Sequence, residues 1–246
     1  MKVNVLETAQ DLGKMAASLT AESIKDLLTK QEKVRLVLST GASQFETLEA
    51  LVKMDVDWSK VEMFHLDEYV NLSEEHPASF RKYLKERFVN LVPIQMVHFV
   101  NGEGDIQSNI KALTEEIRKE PIDLALIGIG ENGHIAFNDP PADFDTKEAY
   151  IVVDLDENCK KQQVGEGWFS TIEDVPKQAI TMTVHQIMQS NVIISCVPHK
   201  VKANAIRNLF ENEVTNHIPS TILKTHPNFN LFLDKQSSSE VDKQFV

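Results

Sequence analysis

The chain has 246 residues and carries 37 acidic against 25 basic side chains, a formal net charge of −12. Nucleic-acid binding relies on clustered Lys and Arg that release counterions, so an acidic chain without a basic run excludes nucleic acid, and likewise an anionic membrane surface, as a partner. With 42% hydrophobic and 25% charged residues, the composition is that of a globular protein, long enough to bury roughly 70–75% of its unfolded surface.

At the amino end, residues 1–7 have a charge too early and an apolar run too short for a signal peptide. No stretch reaches the roughly 18 apolar residues of a membrane span. Leu12, Met15, Ala16 and Leu19, then Ile24, Leu27 and Leu28, recur at helical steps. Strands are expected at 34–39, 61–66, 95–100, 122–127, 150–154, 179–184, 192–197 and 229–233, several of them apolar at consecutive positions, as strands covered on both faces require. Between them, a helix is expected over 44–53, and Leu113 with Ile117, then Val201, Ala205 and Leu209, continue the helical period. This alternation predicts one α/β domain over 1–246, a doubly wound, mostly parallel, Rossmann-like sheet with helices on both faces. Residues 236–246 read as a loose tail. Cys159 and Cys196 sit in no CxxC pair and form no disulfide framework, which fits a reduced, cytoplasmic protein and gives no metal signature.

In open sheets of this kind ligands bind beyond the carboxyl ends of the strands, so four post-strand segments carry the candidate chemistry. The first, Ser39-Thr40-Gly41-Ala42-Ser43, combines small residues, hydroxyls and backbone N–H groups able to meet an anion, and could equally be a helix cap with Ser43 capping. It lacks the lysine of a nucleotide P-loop. The second ends the strand at 61–66 with Asp67-Glu68-Tyr69, placing a carboxylate where partial desolvation raises its proton affinity and suits it to take a carbon-bound proton. The third runs from Gly128 to Pro141 and contains a literal GxGxxG. A dinucleotide site would need a helix to open at Gly133, and Pro140-Pro141 follows too soon for one. What the segment offers instead is His134 with Asn132 and Asp139, an oriented acid/base. The fourth, Pro198-His199-Lys200, puts Lys200 in the first turn of a helix, against the preference for an acidic residue there, which points to a bound anion.

Together these residues closely resemble the glucosamine-6-phosphate deaminase/isomerase family, which shares its fold with 6-phosphogluconolactonases. The resemblance runs through the 39–43 loop, Leu66-Asp-Glu-Tyr69, the helix start His76-Pro-Ala-Ser-Phe80, the Gly-His-Ile-Ala-Phe-Asn-Asp-Pro motif at 133–140, Val175-Pro-Lys-Gln-Ala-Ile-Thr181 and Lys200. It implies conversion of an amino-sugar phosphate to a ketose phosphate and ammonia, with no metal or organic cofactor and in a homo-oligomer. Asp67 is then the base that moves a proton from C2 towards C1, and His134 opens the pyranose ring with Asn132 and Asp139 orienting it. The 39–43 loop and Lys200 form the phosphate clamp. Tyr69 and Phe137 stand where lactonases of this fold carry Arg and Ser, which favours the deaminase side.

The chain departs from the family pattern at Asn132, where Asp is common, and at Asp139, where Glu is usual. It also reads Asn158-Cys159-Lys160-Lys161 where the family has Asn-Ser-Arg-Phe. Lys160 is therefore expected to take the place of a phosphate-binding arginine, as a point charge rather than a fork. Because the chain is acidic overall, attraction of a phosphate must come from a few local donors, and neutralising Lys200 is expected to weaken binding sharply. The alternatives are a 6-phosphogluconolactonase and a non-catalytic sugar-phosphate sensor; no DNA-binding module is expected before residue 34.

Overall fold

Consecutive apolar residues in a strand point to opposite faces, and a computed structural model of the chain, which describes residues 1–242, shows both faces occupied. Strand β1 (Lys2–Leu6) leads into helix α1 (Ala9–Leu28), followed by β2 (Val34–Leu38), α2 (Phe45–Leu51), β3 (Val61–His65), β4 (Asp67–Tyr69), α3 (Phe80–Arg87), β5 (Met96–His98) and α4 (Ile106–Ile117). The second half contains β6 (Leu124–Ile127), β7 (Tyr150–Asp154), α5 (Glu157–Gly165), β8 (Gln178–Met182), α6 (Val184–Met188), β9 (Val192–Val197), α7 (Ala203–Glu211) and β10 (Phe229–Asp234). Seven strands form a parallel sheet in the order β1-β10-β9-β6-β2-β3-β5. Val37, Ala125, Ile127, Ile193 and Val197 face the layer of α4 and α7, while Leu36, Leu38, Leu124, Leu126, Ile194 and Cys196 face the layer of α1, α2 and α3. The doubly wound, mostly parallel sheet read from the sequence is the observed core.

Two of the expected strands lie elsewhere. β7 and β8 leave the parallel sheet and join β4 in a three-stranded antiparallel sheet, order β4-β8-β7. Length and apolar content cannot assign a strand to a sheet; here the assignment depends on β3, which breaks for one residue at Leu66 and resumes as β4, now paired with β8. The Leu66 carbonyl accepts the N–H of Met182 at 2.6 Å, and Tyr150 Oη donates to the His65 carbonyl at 3.0 Å, fastening the small sheet to the end of β3. The expected run 179–184 also ends early, because Thr183 accepts from the N–H of Gln186 and caps α6. β1 escaped the sequence reading: it is a half-exposed edge strand with Lys2 and Asn4 among its residues, paired only to β10.

The loose tail does not begin at Gln236. Ser237 is fully buried, its N–H donating to Asp234 Oδ1 at 2.7 Å, and Glu240 pairs with Lys200 and Arg207. The expectation for 243–246 lies outside the described residues.

Strands β9, β6, β2 and β3 are neighbours, so the four post-strand segments converge at one edge. The chain order reverses between β2 and β6, with β3 and β5 continuing on one side and β9 and β10 on the other. That is the switch point at which such sheets open a crevice for ligands.

Candidate active site

The switch point opens into a crevice, and Ser39, Thr40, Gly41, Ala42, Ser43, Asp67 and His134 all line it. Residues from three of the four expected stretches thus meet in one pocket; Asn132 and Asp139 stand behind His134 rather than on the lining, and neither expected lysine lines it.

The 39–43 loop leaves β2 and turns at Gly41, whose φ of 100° only glycine adopts without strain. A short 3-10 turn (Ala42–Gln44) follows before α2, and Ser43 caps neither helix; its Oγ accepts from Gln44 Nε2 at 3.0 Å. The Gly41 carbonyl accepts from Tyr83 Oη at 2.9 Å and from the N–H of Gln44 at 3.1 Å, which fixes that peptide. No backbone acceptor among the described residues meets the N–H groups of Ala42 and Ser43, and the buried Ser39 Oγ is without a partner. A loop of unengaged donors in a crevice has the chemistry to receive an anion.

Asp67 and Glu68 are adjacent carboxylates with different fates, because successive strand residues face opposite ways. Glu68 is fully buried against the N-terminus of α3 and accepts from the N–H groups of Tyr69, Phe80 and Arg81, from Ser79 Oγ and from Arg81 Nε. Ser79 caps the same helix, as the motif at 76–80 implied. Asp67 turns into the pocket. Burial, reinforced by the Glu68 charge beside it, pushes its carboxyl well above the usual range. The preceding His65 does not compete for protons there: burial, and then the nearby Arg81 charge, push it down to about 3, and its Nε2 accepts from the N–H of Val100.

The 128–141 segment stays irregular after Gly133, so the helix that a dinucleotide site requires is not there. Instead the chain turns between Gly130 and Gly133 and again at Ala136, where φ is 51°. The second turn is pinned to the small sheet by Asn138 Nδ2, which donates to the Ile135 and Met182 carbonyls. Within this frame His134 Nδ1 lies 3.0 Å from Asp139 Oδ1, a close but bent contact, and Asn132 ties the pair together, accepting from the N–H of His134 and donating to Asp139 Oδ1, each at 3.0 Å. Burial works against the Asp139 charge, but the contacts with His134 and Asn132 outweigh it and hold its carboxyl below the usual range. The shorter Asp139 and the amide Asn132 thus still stand in contact with the histidine.

Gly130 sits directly under the His134 ring, where an added Cβ would overlap Cε1 and Nε2. Gly130→Ala is expected to cost about 1–3 kcal/mol in stability through overpacking and to displace the ring; thermal unfolding and turnover measured on the same sample check both effects.

The two predicted lysines lie outside the pocket. Lys200 is exposed at the crevice rim, its Nζ 2.8 Å from Glu240 Oε1 and 2.9 Å from Ser239 Oγ. Lys160, near the start of α5, does not line the pocket. The cation in the crevice is Lys202, buried beside the 39–43 loop at the N-terminus of α7. Desolvation lowers its pKa, opposed by Glu166 and Glu131. The left-handed His199, φ 78°, delays the helix by a 3-10 turn (Lys200–Lys202), so α7 starts later than the Pro198 reading expects. A signal for Lys202 was present: it falls in helical phase with the buried Ile206 and Leu209, whereas Lys200 falls in phase with Asn204 and Arg207. From α5 and the turn after it the pocket receives Gln162, Gln163, Glu166 and Trp168, none of which the sequence reading selected.

Among the described residues one cluster has metal-ligand spacing, Glu62, His98 and Glu116. It is built on β3, β5 and α4, away from the crevice, and Glu62 already pairs with Arg35 and Lys33. No helix among the described residues is long and apolar enough to cross a membrane.

Comparison with known proteins converges on the same assignment. A family model described as glucosamine-6-phosphate isomerases/6-phosphogluconolactonase matches residues 7–231. The glucosamine-6-phosphate deaminase of Streptococcus pyogenes serotype M1 is 35% identical over 243 residues, 98% of this chain and all of that protein. That of a Lactobacillus delbrueckii subsp. bulgaricus strain is 32% identical over 240 residues, 97% of this chain and 99% of its own length. A solved structure described as a monomeric glucosamine-6-phosphate deaminase superposes with a TM-score of 0.90 at 29% identity, covering 98% of this chain and all of its own. A 6-phosphogluconolactonase from Thermotoga maritima superposes with a TM-score of 0.79 at 18% identity, covering 95% of this chain and 99% of its own, a likeness of fold alone.

Proposed function

The chain belongs to the glucosamine-6-phosphate isomerase/6-phosphogluconolactonase family, and from that premise we propose that its crevice converts glucosamine 6-phosphate and water to fructose 6-phosphate and ammonia. The observation that carries this reading is the meeting, in one pocket, of a carboxylate of raised proton affinity, a carboxylate-paired histidine and an anion cradle with a buried lysine.

The phosphate sits on the N–H groups of Ala42 and Ser43, the Ser39 hydroxyl and Lys202. His134 takes the proton of the C1 hydroxyl and delivers one to the ring oxygen, opening the pyranose; Asp139 and Asn132 hold the imidazole and its transient charge. Asp67 removes the proton from C2 of the open aldehyde and returns it to C1. The C2 nitrogen is left as an imine, which water hydrolyses to the ketone, releasing ammonia. A desolvated carboxylate is the stronger base for the carbon step, since general-base efficiency rises as the pKa approaches the working pH.

The homo-oligomer implied by the family resemblance belongs to the same proposal, and its mass in solution measures it. A cytoplasmic location is supported by two free, buried cysteines, which suit a reducing compartment. The test of function is incubation of the purified protein with glucosamine 6-phosphate, with 6-phosphogluconolactone in parallel, following ammonia, fructose 6-phosphate and lactone hydrolysis. Ammonia and fructose 6-phosphate in equal amounts are expected. A folded protein that releases neither refutes the reading, and lactone hydrolysis without deamination replaces it.

A further inference from the structure

Helix α5 brings into the pocket a side chain that none of these steps uses. Gln163 is buried, lines the same space as Asp67, and its Oε1 lies 2.7 Å from Tyr69 Oη. Tyr69 is itself fully buried and ringed by Phe80, Phe137 and Phe169. Burial first, and the neighbouring acidic groups second, raise its phenol well above the ordinary value, so it keeps its proton and must donate it. Gln163 Oε1 is the acceptor that receives it.

An amide whose carbonyl is engaged on one side presents its NH₂ on the other. Gln163 Nε2 meets no acceptor among the described residues and is not among the enclosed, unpartnered atoms, so it opens onto the pocket. Its neighbours on α5 are committed otherwise: Gln162 Nε2 donates to Glu166 Oε1 at 2.8 Å, and Trp168 Nε1 donates to Glu166 Oε2 at 3.0 Å. Gln162 and Glu166 also border the outer recess beside Ser43 and Lys202, the phosphate end, whereas Gln163 borders the inner pocket alone. A neutral donor that lines the same space as Asp67 and does not border the outer recess suits a hydroxyl oxygen.

We propose that Gln163 is a specificity-determining residue whose Nε2 donates a hydrogen bond to a hydroxyl of the substrate's carbon chain, at C3 or C4, with Tyr69 as the positioning residue that fixes the amide's orientation. The inference rests on the reading of this pocket as a hexosamine-phosphate site. Binding is measured by calorimetry in an Asp67→Asn background, so that no turnover intervenes, using glucosamine 6-phosphate and its 3-deoxy and 4-deoxy counterparts. Gln163→Leu weakens binding of glucosamine 6-phosphate about tenfold, as loss of one buried donor does, but binding of one of the two deoxy compounds by no more than about twofold. Tyr69→Phe, which frees the amide to turn, shows the same pattern at smaller amplitude.

Equal losses against all three compounds, or no loss against any, overturn the inference while leaving the site assignment standing. If the Asp67→Asn protein binds none of the three, the functional reading fails and the inference with it. Gln163→Met, which keeps the length of the side chain without its donor, serves in the same comparison should the leucine variant not fold.

Discussion

Asp67→Asn is expected to lower turnover of glucosamine 6-phosphate by about 10²–10⁴-fold, the usual worth of a positioned general base, while binding stays within about threefold. The amide keeps the shape of the side chain and cannot take the C2 proton. Steady-state kinetics beside calorimetry separate the two quantities, and a protein that only senses sugar phosphates would show no turnover to lose. Two accompanying signs follow from the raised proton affinity of Asp67. The base must be ionised to act, so the acid limb of kcat/KM falls at a higher pH than an ordinary carboxylate would give. Neither Asp139, held below the usual range, nor His65, pushed down to about 3, accounts for a limb there.

The stability sign is opposite to the catalytic one. A carboxyl whose folded pKa exceeds its unfolded value favours the fold at low pH and withdraws that support as pH rises through the folded pKa. Asn carries no such charge, so the variant should be the more stable protein above the raised pKa, by about 2–4 °C in Tm for each ~1 kcal/mol relieved. The difference should vanish below the normal carboxylate range. Coincidence of lost turnover with gained stability would mark Asp67 as a residue kept for chemistry at a cost to the fold.

Lys202→Met is expected to raise KM by about 10–100-fold, the scale of one charge-assisted hydrogen bond, with a smaller effect on kcat, since phosphate is held alike in ground and transition states. Lys200→Ala should leave both constants nearly unchanged, because its charge is taken up at the rim by Glu240 and Ser239. The contrast is the reverse of what the sequence alone predicts. Because desolvation lowers the Lys202 pKa, affinity for the phosphate should also decline at a lower alkaline pH than a normal lysine would allow. Equal sensitivity at both lysines, or a response at Lys200 alone, would return the clamp to the rim.

Why one lysine was chosen over the other shows where legibility ends. The sequence places two lysines at positions 200 and 202, both after β9 and both within reach of the crevice edge. Helical phase with Ile206 and Leu209 favours Lys202, and the left-handed turn at His199, with its N–H on Asp234 Oδ2, starts the helix late enough for that phase to hold. Similarly, Asp67 and Glu68 are indistinguishable as strand-end carboxylates until α3 lays its N-terminus and Arg81 against Glu68 and leaves Asp67 to the pocket.

What the sequence determined by itself is whatever depends on local pattern: the strand and helix alternation, the doubly wound sheet that follows from it, and the post-strand segments that hold the 39–43 loop, the Asp67-Glu68 pair, His134 and Asp139. Those are properties of neighbouring residues, and chain chirality and strand polarity bring them to one edge without further information. The tertiary structure alone decided the second sheet, the docked segment at 236–242 and the entry of Gln163. Each of these depends on which partner a strand, a helix phase or an amide finds across the fold. Such choices are made by long-range packing and by the demand that buried polar groups be satisfied, which no local window of sequence contains.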